Sequence, residues 1–124
     1  MIRNTKNQTP GYKNLLVWQI ADKLVKETYK ASTKFPKEEM YGLTSQLRRA
    51  ALSVPLNIIE GYSRYNKNEF RHFLRIALGS LAEAGYILEF SYSQNYLLEK
   101  DFNKLMDLKN RSGSLLWKLY QSQK

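Results

Sequence analysis

Apolar residues recur every three or four positions through four successive stretches of this chain, and no stretch alternates in the two-residue rhythm of a strand. That spacing permits helices and little else. In the first stretch Leu15, Trp18, Ala21, Val25, Thr28 and Ser32 share a face, widened by Leu16, Ile20, Leu24 and Ala31. Asn14 is placed to cap it. Phe35-Pro36 stops it, because a residue before proline is pushed out of the helical region. The second stretch opens after Gly42, with Gly42 or Thr44 at its start, and steps through Leu43, Leu47, Ala50, Val54 and Ile58. Pro55 interrupts it, and an interior proline removes a hydrogen bond and kinks a helix. The apolar phase nevertheless continues, so the pattern predicts one kinked helix rather than two short ones, closed near Gly61.

The third stretch starts between Asn66 and Asn68, with an asparagine cap and Glu69 in its first turn. It carries Phe70, Phe73, Leu74, Ala77, Leu78, Leu81, Ala84, Gly85 and Leu88, and fades near Ser93-Gln94-Asn95. Its small residues Gly79, Ala82, Ala84 and Gly85 predict the close approach of another helix. The fourth runs from about Glu99 to Tyr120 through Phe102, Leu105, Leu108 or Lys109, Ser112, Leu115, Leu116 and Leu119. Gly113 inside it costs up to about 1 kcal/mol relative to alanine. Four such segments with short links predict an all-α, antiparallel up-down four-helix bundle over residues 14–121, preceded by a flexible polar arm at residues 1–13.

Composition narrows the chemistry. A chain of 124 residues makes one domain, with 43% hydrophobic residues and only 6 glycines and 3 prolines. The absence of cysteine excludes disulfides, zinc–thiolate sites and thiol nucleophiles. The single histidine excludes a multi-histidine metal site, and no Glu-x-x-His pair is available for a di-iron bundle. There is no glycine-rich phosphate loop. No apolar run approaches the roughly 18 residues of a membrane span, and Met1–Gly11 lacks the apolar middle of a signal peptide. The expectation is a soluble protein of a reducing compartment, most simply the cytoplasm.

The second helix is the informative one. At 100° per residue, Leu43, Leu47, Ala50, Val54 and Ile58 form a core face. Leu52, Leu56 and Ile59 form a second, roughly opposite apolar face. A helix apolar on two sides is buried on two sides, so Leu52, Leu56 and Ile59 are predicted to mediate self-association. Between the faces runs a polar strip of Gln46, Ser53, Asn57 and Glu60. With no base beside the serine it is expected to be structural rather than catalytic. Asn57 is placed to bond backbone groups freed by Pro55, and Glu60 to hold Asn or Arg groups of a neighbouring helix.

The net charge of +9 favours polyanionic partners. Arg64, Lys67, Arg71 and Arg75 gather around the start of the third helix, with Tyr62 and Tyr65 interleaved. Basic side chains neutralise phosphates and tyrosines stack on unpaired bases, which makes Arg64, Lys67, Arg71, Arg75 and Tyr65 the candidate nucleic-acid-binding residues. Arg48 and Arg49 are weaker candidates, and one of them is expected to be buried in a pair. His72, between Arg71 and Phe73, reads as a surface or interface side chain. No recognised RNA-binding motif is present.

The segment from Ser45 to Gly61, with Gln46-Leu47-Arg48-Arg49-Ala50 followed by Ser53-x-Pro55-x-Asn57-Ile58-x-Glu60-Gly61, resembles the signature of the 23S rRNA intervening-sequence protein family. Leu15-x-x-Trp18, Glu69-Phe70 with Phe73-Leu74, and Ala77-Leu78-Gly79-Ser80-Leu81 also resemble it. The likeness covers roughly residues 12–120. Leu78 stands where a small or basic residue is expected, and Ile59 where alanine is common. The resemblance implies a left-handed up-down four-helix bundle and a closed ring of five protomers. A similar bundle is the accessory variability protein of diversity-generating retroelements, which binds a reverse transcriptase and nucleic acid. The family brings no established catalytic residues. The resulting expectation is a non-enzymatic homo-oligomer without cofactor or metal, binding RNA, DNA or a nucleic-acid-processing complex. The alternative is a protein-interaction scaffold.

Overall fold

The computed structural model describes residues 10–124, so most of the arm expected over residues 1–13 lies outside the described residues. Four helices follow: α1 (Leu16–Ser32), α2 (Leu43–Tyr62), α3 (Lys67–Ser93) and α4 (Glu99–Ser122). No strand occurs among the described residues. Each helix packs on its two neighbours in chain order, and α1 closes the circuit against α4. The register is antiparallel. In the α3–α4 pair Arg71 lies over Tyr120 near one end, and Gly85 approaches Lys109 further along. In the α2–α3 pair Gly61 meets Phe70, and Ser53 meets Ser80.

The core lies along the bundle axis. Leu24 of α1, Leu47, Val54 and Ile58 of α2, Leu74 and Leu88 of α3, and Leu105 and Leu116 of α4 are almost entirely removed from water. Burying each such side chain contributes about 1.5–3 kcal/mol. Pro55 is buried inside a continuous α2, as the uninterrupted apolar phase required.

The helix ends show where local chemistry departs from expectation. Asn14 does not cap α1. It belongs to a 3-10 turn at Gly11–Asn14, and Leu15 occupies the cap position. That turn rests on the end of α2, where a Cβ on Gly11 would collide with the Tyr62 ring. Gly42 is the cap residue of α2, but a carboxylate supplies the bond: Leu43 N–H donates to Glu39 Oε1 at 3.2 Å. An anion there also meets the positive end of the helix dipole. Asn66 caps α3, its Oδ1 accepting from Glu69 N–H at 3.0 Å.

Gly61 does not provide the left-handed turn after α2. It sits inside the last turn of the helix, where a Cβ would lie 2.8 Å from Phe70 Cδ1 and 2.9 Å from Phe73 Cβ. Its smallness lets α3 come close. The left-handed residue is Tyr65, at φ 52°. The small residues of α3 also divide. Ala84 and Gly85 are buried, with Gly85 against the Lys109 side chain, whereas Gly79 and Ala82 are exposed and nothing approaches Gly79.

Candidate nucleic-acid interface

The four basic residues around the α2–α3 link do not form one patch. Arg64 turns toward α2: its guanidinium bridges Glu60 at 2.9 Å and Glu69 at 3.8 Å, and lies 5.1 Å from the Phe73 ring centroid. Two carboxylates therefore already neutralise it. Lys67, Arg71 and Arg75 follow one another at intervals of four residues along the other flank of α3, toward α4. None of the three has a carboxylate partner among the described residues. Lys67 and Arg75 are exposed. Arg71 is half-buried over the Tyr120 ring, 4.6 Å from its centroid, and its Nε is buried without a hydrogen-bond partner. Arg75 Nη2 lies 3.3 Å from Nδ1 of the exposed His72.

Tyr65 stands at the corner where the link turns into α3. Its side chain is 89% exposed although its backbone occupies the left-handed region. A residue with a Cβ is disfavoured there, and glycine or asparagine adopts that conformation at lower cost. No sequence signal marks Tyr65 for this role, because the nearby Gly61 is the residue that pattern reading assigns to it.

The polar strip of α2 is a cross-helix network. Ser53 Oγ and Ser80 Oγ lie 2.8 Å apart, joining α2 to α3. Asn57 Nδ2 donates to Ser53 O at 2.8 Å and to Ser53 Oγ at 2.9 Å. The carbonyl that loses its partner to Pro55 is that of Ala51, four residues back, so Asn57 does not serve the group freed by the proline. Glu60 holds Arg64, and Gln46 is exposed.

Arg48 is likewise structural. Its Nε donates to Ser32 Oγ at 2.8 Å and its Nη2 to Tyr29 O at 3.3 Å, with the guanidinium 4.7 Å from the Tyr29 centroid. The expected pair partner is thus a helix C-terminus, which carries negative partial charge, rather than an acid. Arg49 is exposed. On the outer side of α2, Leu56 is 52% and Leu52 39% exposed, and Ile59 is half-buried. Ile76 of α3, one turn before Ser80, is also exposed.

Among the described residues no three His, Asp or Glu side chains converge to hold a metal ion, and no helix is long and apolar enough to cross a membrane. One clearly lowered acid lies away from these surfaces. Glu27 accepts from Lys104 at 2.7 Å and from Lys30 at 3.3 Å. The Lys104 hydrogen bond outweighs partial burial and holds the carboxyl below its ordinary value.

Comparison with known proteins agrees with this architecture. The structure superimposes with a TM-score of 0.78 on a protein with unknown function from the S23 ribosomal protein family of Bacteroides thetaiotaomicron VPI-5482, covering 86% of this chain and 96% of that one. The two sequences are 19% identical, a likeness that speaks for the fold. No curated protein matches the chain. The family model described as 23S rRNA-intervening sequence protein matches residues 13–118. That match spans all four helices up to the last turn of α4, and the chain belongs to the 23S rRNA-intervening sequence protein family.

Proposed function

We propose that this chain is a non-enzymatic, homo-oligomeric four-helix bundle that binds nucleic acid, RNA in the first place, through the α3 flank. The observation that carries this reading is the row of Lys67, Arg71 and Arg75, cationic, unpaired by any described acid and flanked by the exposed Tyr65 ring. Successive cations on one helix face neutralise successive phosphates, and each released counterion favours binding. Self-association is supported by the exposed Leu52 and Leu56, which a lone bundle leaves in water. A closed ring, five-membered as the family resemblance implies, repeats the cationic row around the assembly, so weak single contacts add through multivalency. A reverse transcriptase or another nucleic-acid-processing protein is a partner of the same kind, reached through the nucleic acid it holds.

The test is binding of the purified protein to a structured RNA and to a DNA duplex across a salt series, with mass by light scattering on the same sample. Submicromolar binding that weakens steeply with salt, by a species several times the 14.6 kDa of the chain, supports the reading. Lys67→Gln and Arg75→Gln should each reduce the salt slope. Arg64→Ala should change it less, because Glu60 and Glu69 already occupy that guanidinium. Absence of binding at low salt refutes the nucleic-acid reading and leaves a protein-interaction scaffold.

A further inference from the structure

At the end of the bundle an open pocket of about 270 Å³ lies between the last turn of α2, the first turn of α3 and the end of α4. Tyr62, Tyr65 and Phe70 contribute three aromatic rings, and Lys67, Asn66 and Gln123 the polar rim. The Tyr62 ring stands at 88° to Phe70, with centroids 6.1 Å apart, and 6.4 Å from Tyr65. The volume falls just below the roughly 300–1,000 Å³ of drug-sized ligand sites. It suits one flat ring better than an extended ligand.

The lining is also specific in what it has left to offer. Asn66 Oδ1 is committed to Glu69 N–H, and the Asn66 amide N–H groups have no acceptor among the described residues. Gln123 Nε2 donates to Ser122 Oγ at 3.0 Å, and the Gln123 side-chain carbonyl has no donor among the described residues. Three rings, two of them carrying hydroxyls, with one amide NH2, one amide carbonyl and a single ammonium match a heteroaromatic ring with a polar edge attached to one phosphate. They do not match a bare phosphate, which needs several cations. From Lys67 the cationic row continues to Arg71 and Arg75, each about 6 Å of helix rise from the last.

We infer that this pocket captures one unpaired nucleobase of a single strand, by stacking on Tyr65 beside Tyr62 and Phe70, while the strand's phosphates follow Lys67, Arg71 and Arg75. The inference rests on the nucleic-acid reading above and adds the form of the ligand. A paired, stacked base hides both faces, so only a single strand, a loop or an overhang can fill such a pocket. It also gives a role to the left-handed backbone of Tyr65. An exposed ring is held at a conformation that glycine would adopt without cost, and strain of this sort collects at binding sites.

The test compares oligouridine, oligodeoxythymidine and a fully paired RNA duplex of equal length, by fluorescence anisotropy with the full chain. Tyr65→Gly is the decisive variant. It removes the ring and relieves the backbone, so thermal stability should hold or rise. Affinity for the single strands should fall between about fivefold and 150-fold, the range for one lost base–aromatic stack, and change less than about twofold for the duplex. Tyr65→Phe, which keeps the ring face, should retain binding. Binding of either single strand with this pattern supports the pocket, and the ratio between RNA and DNA strands reads the 2′-hydroxyl. Unchanged single-strand binding by Tyr65→Gly overturns the pocket and leaves the cationic row standing. No binding of any of the three by the unsubstituted protein overturns both.

Discussion

Ser53 of α2 and Ser80 of α3 share a hydrogen bond of 2.8 Å across the helix pair, and Asn57 secures it from one turn further along α2. Polar groups at a helix interface are costly when unpartnered and modestly stabilising when bonded. The network is therefore an orientation device for α2 and α3. Ser80→Ala should cost about 0.5–1.5 kcal/mol in denaturant unfolding, because Ser53 keeps Asn57 as a partner. Asn57→Ala should cost a similar amount. Neither should alter nucleic-acid affinity, measured by anisotropy, since neither side chain lies on the cationic row.

Two glycines of the α2–α3 pair should respond to alanine with opposite signs. At Gly61 a Cβ would meet Phe70 and Phe73 at 2.8–2.9 Å and the Phe70 Cα at 3.3 Å. Backbone must move, and overpacking of this sort costs about 1–3 kcal/mol, more than the gain in helix propensity. At Gly79 a Cβ would meet nothing within 4 Å. Gly79→Ala should therefore stabilise the chain by about 0.5–1 kcal/mol. Thermal unfolding of the two variants side by side checks both signs.

Leu56→Glu separates assembly from folding. The side chain is 52% exposed, so a charge there leaves the helical core intact and stability within about 0.5 kcal/mol once assembly is set aside. If the outer face of α2 joins protomers, the mass by light scattering drops to that of one chain while circular dichroism keeps its helical signal. Retention of the oligomer would place the interface elsewhere.

Glu27 makes acid stability predictable in sign. Its carboxyl titrates below the 4.5 of an unperturbed glutamate, because Lys104, and then Lys30, stabilise the charged form. A lowered folded value means that the contribution is complete above the unfolded value and disappears as pH falls through the folded one. Glu27→Gln should lower the melting temperature near pH 7. The gap from the unsubstituted protein should begin to close near pH 4.5 and vanish at more acidic pH, as read from melting curves at each pH.

Much of the architecture was legible because helices are written in local terms. The phase carried from Leu43 through Leu47, Ala50 and Val54 to Ile58 survives Pro55, and α2 is one helix. Asn66 with Glu69 marks the start of α3, which falls inside the expected Asn66–Asn68 window. Phe35-Pro36 marks an outer limit for α1, which ends three residues before Phe35, at Ser32. The outward position of Leu52 and Leu56 also follows from the helical repeat alone.

Pairing between elements was not legible, because it depends on which groups distant turns bring together. Arg64 and Lys67 are three residues apart, yet Glu60 and Glu69 bind one and leave the other open. Gly61 reads as a terminator until Phe70 and Phe73 are seen against it, and Tyr65 then takes the left-handed turn. Glu39 caps α2 from outside the helix, and Ser32 and Tyr29 receive Arg48 from the next one. Helical periodicity is a property of each segment's own backbone, with a repeat of about 3.6 residues, so it needs no partner to be read. The cations of α3 without a described acid partner, and the pocket at its first turn, depend on how α2, α3 and α4 pack, because Glu60 and Glu69 take Arg64 and Gln123 of α4 closes the pocket rim.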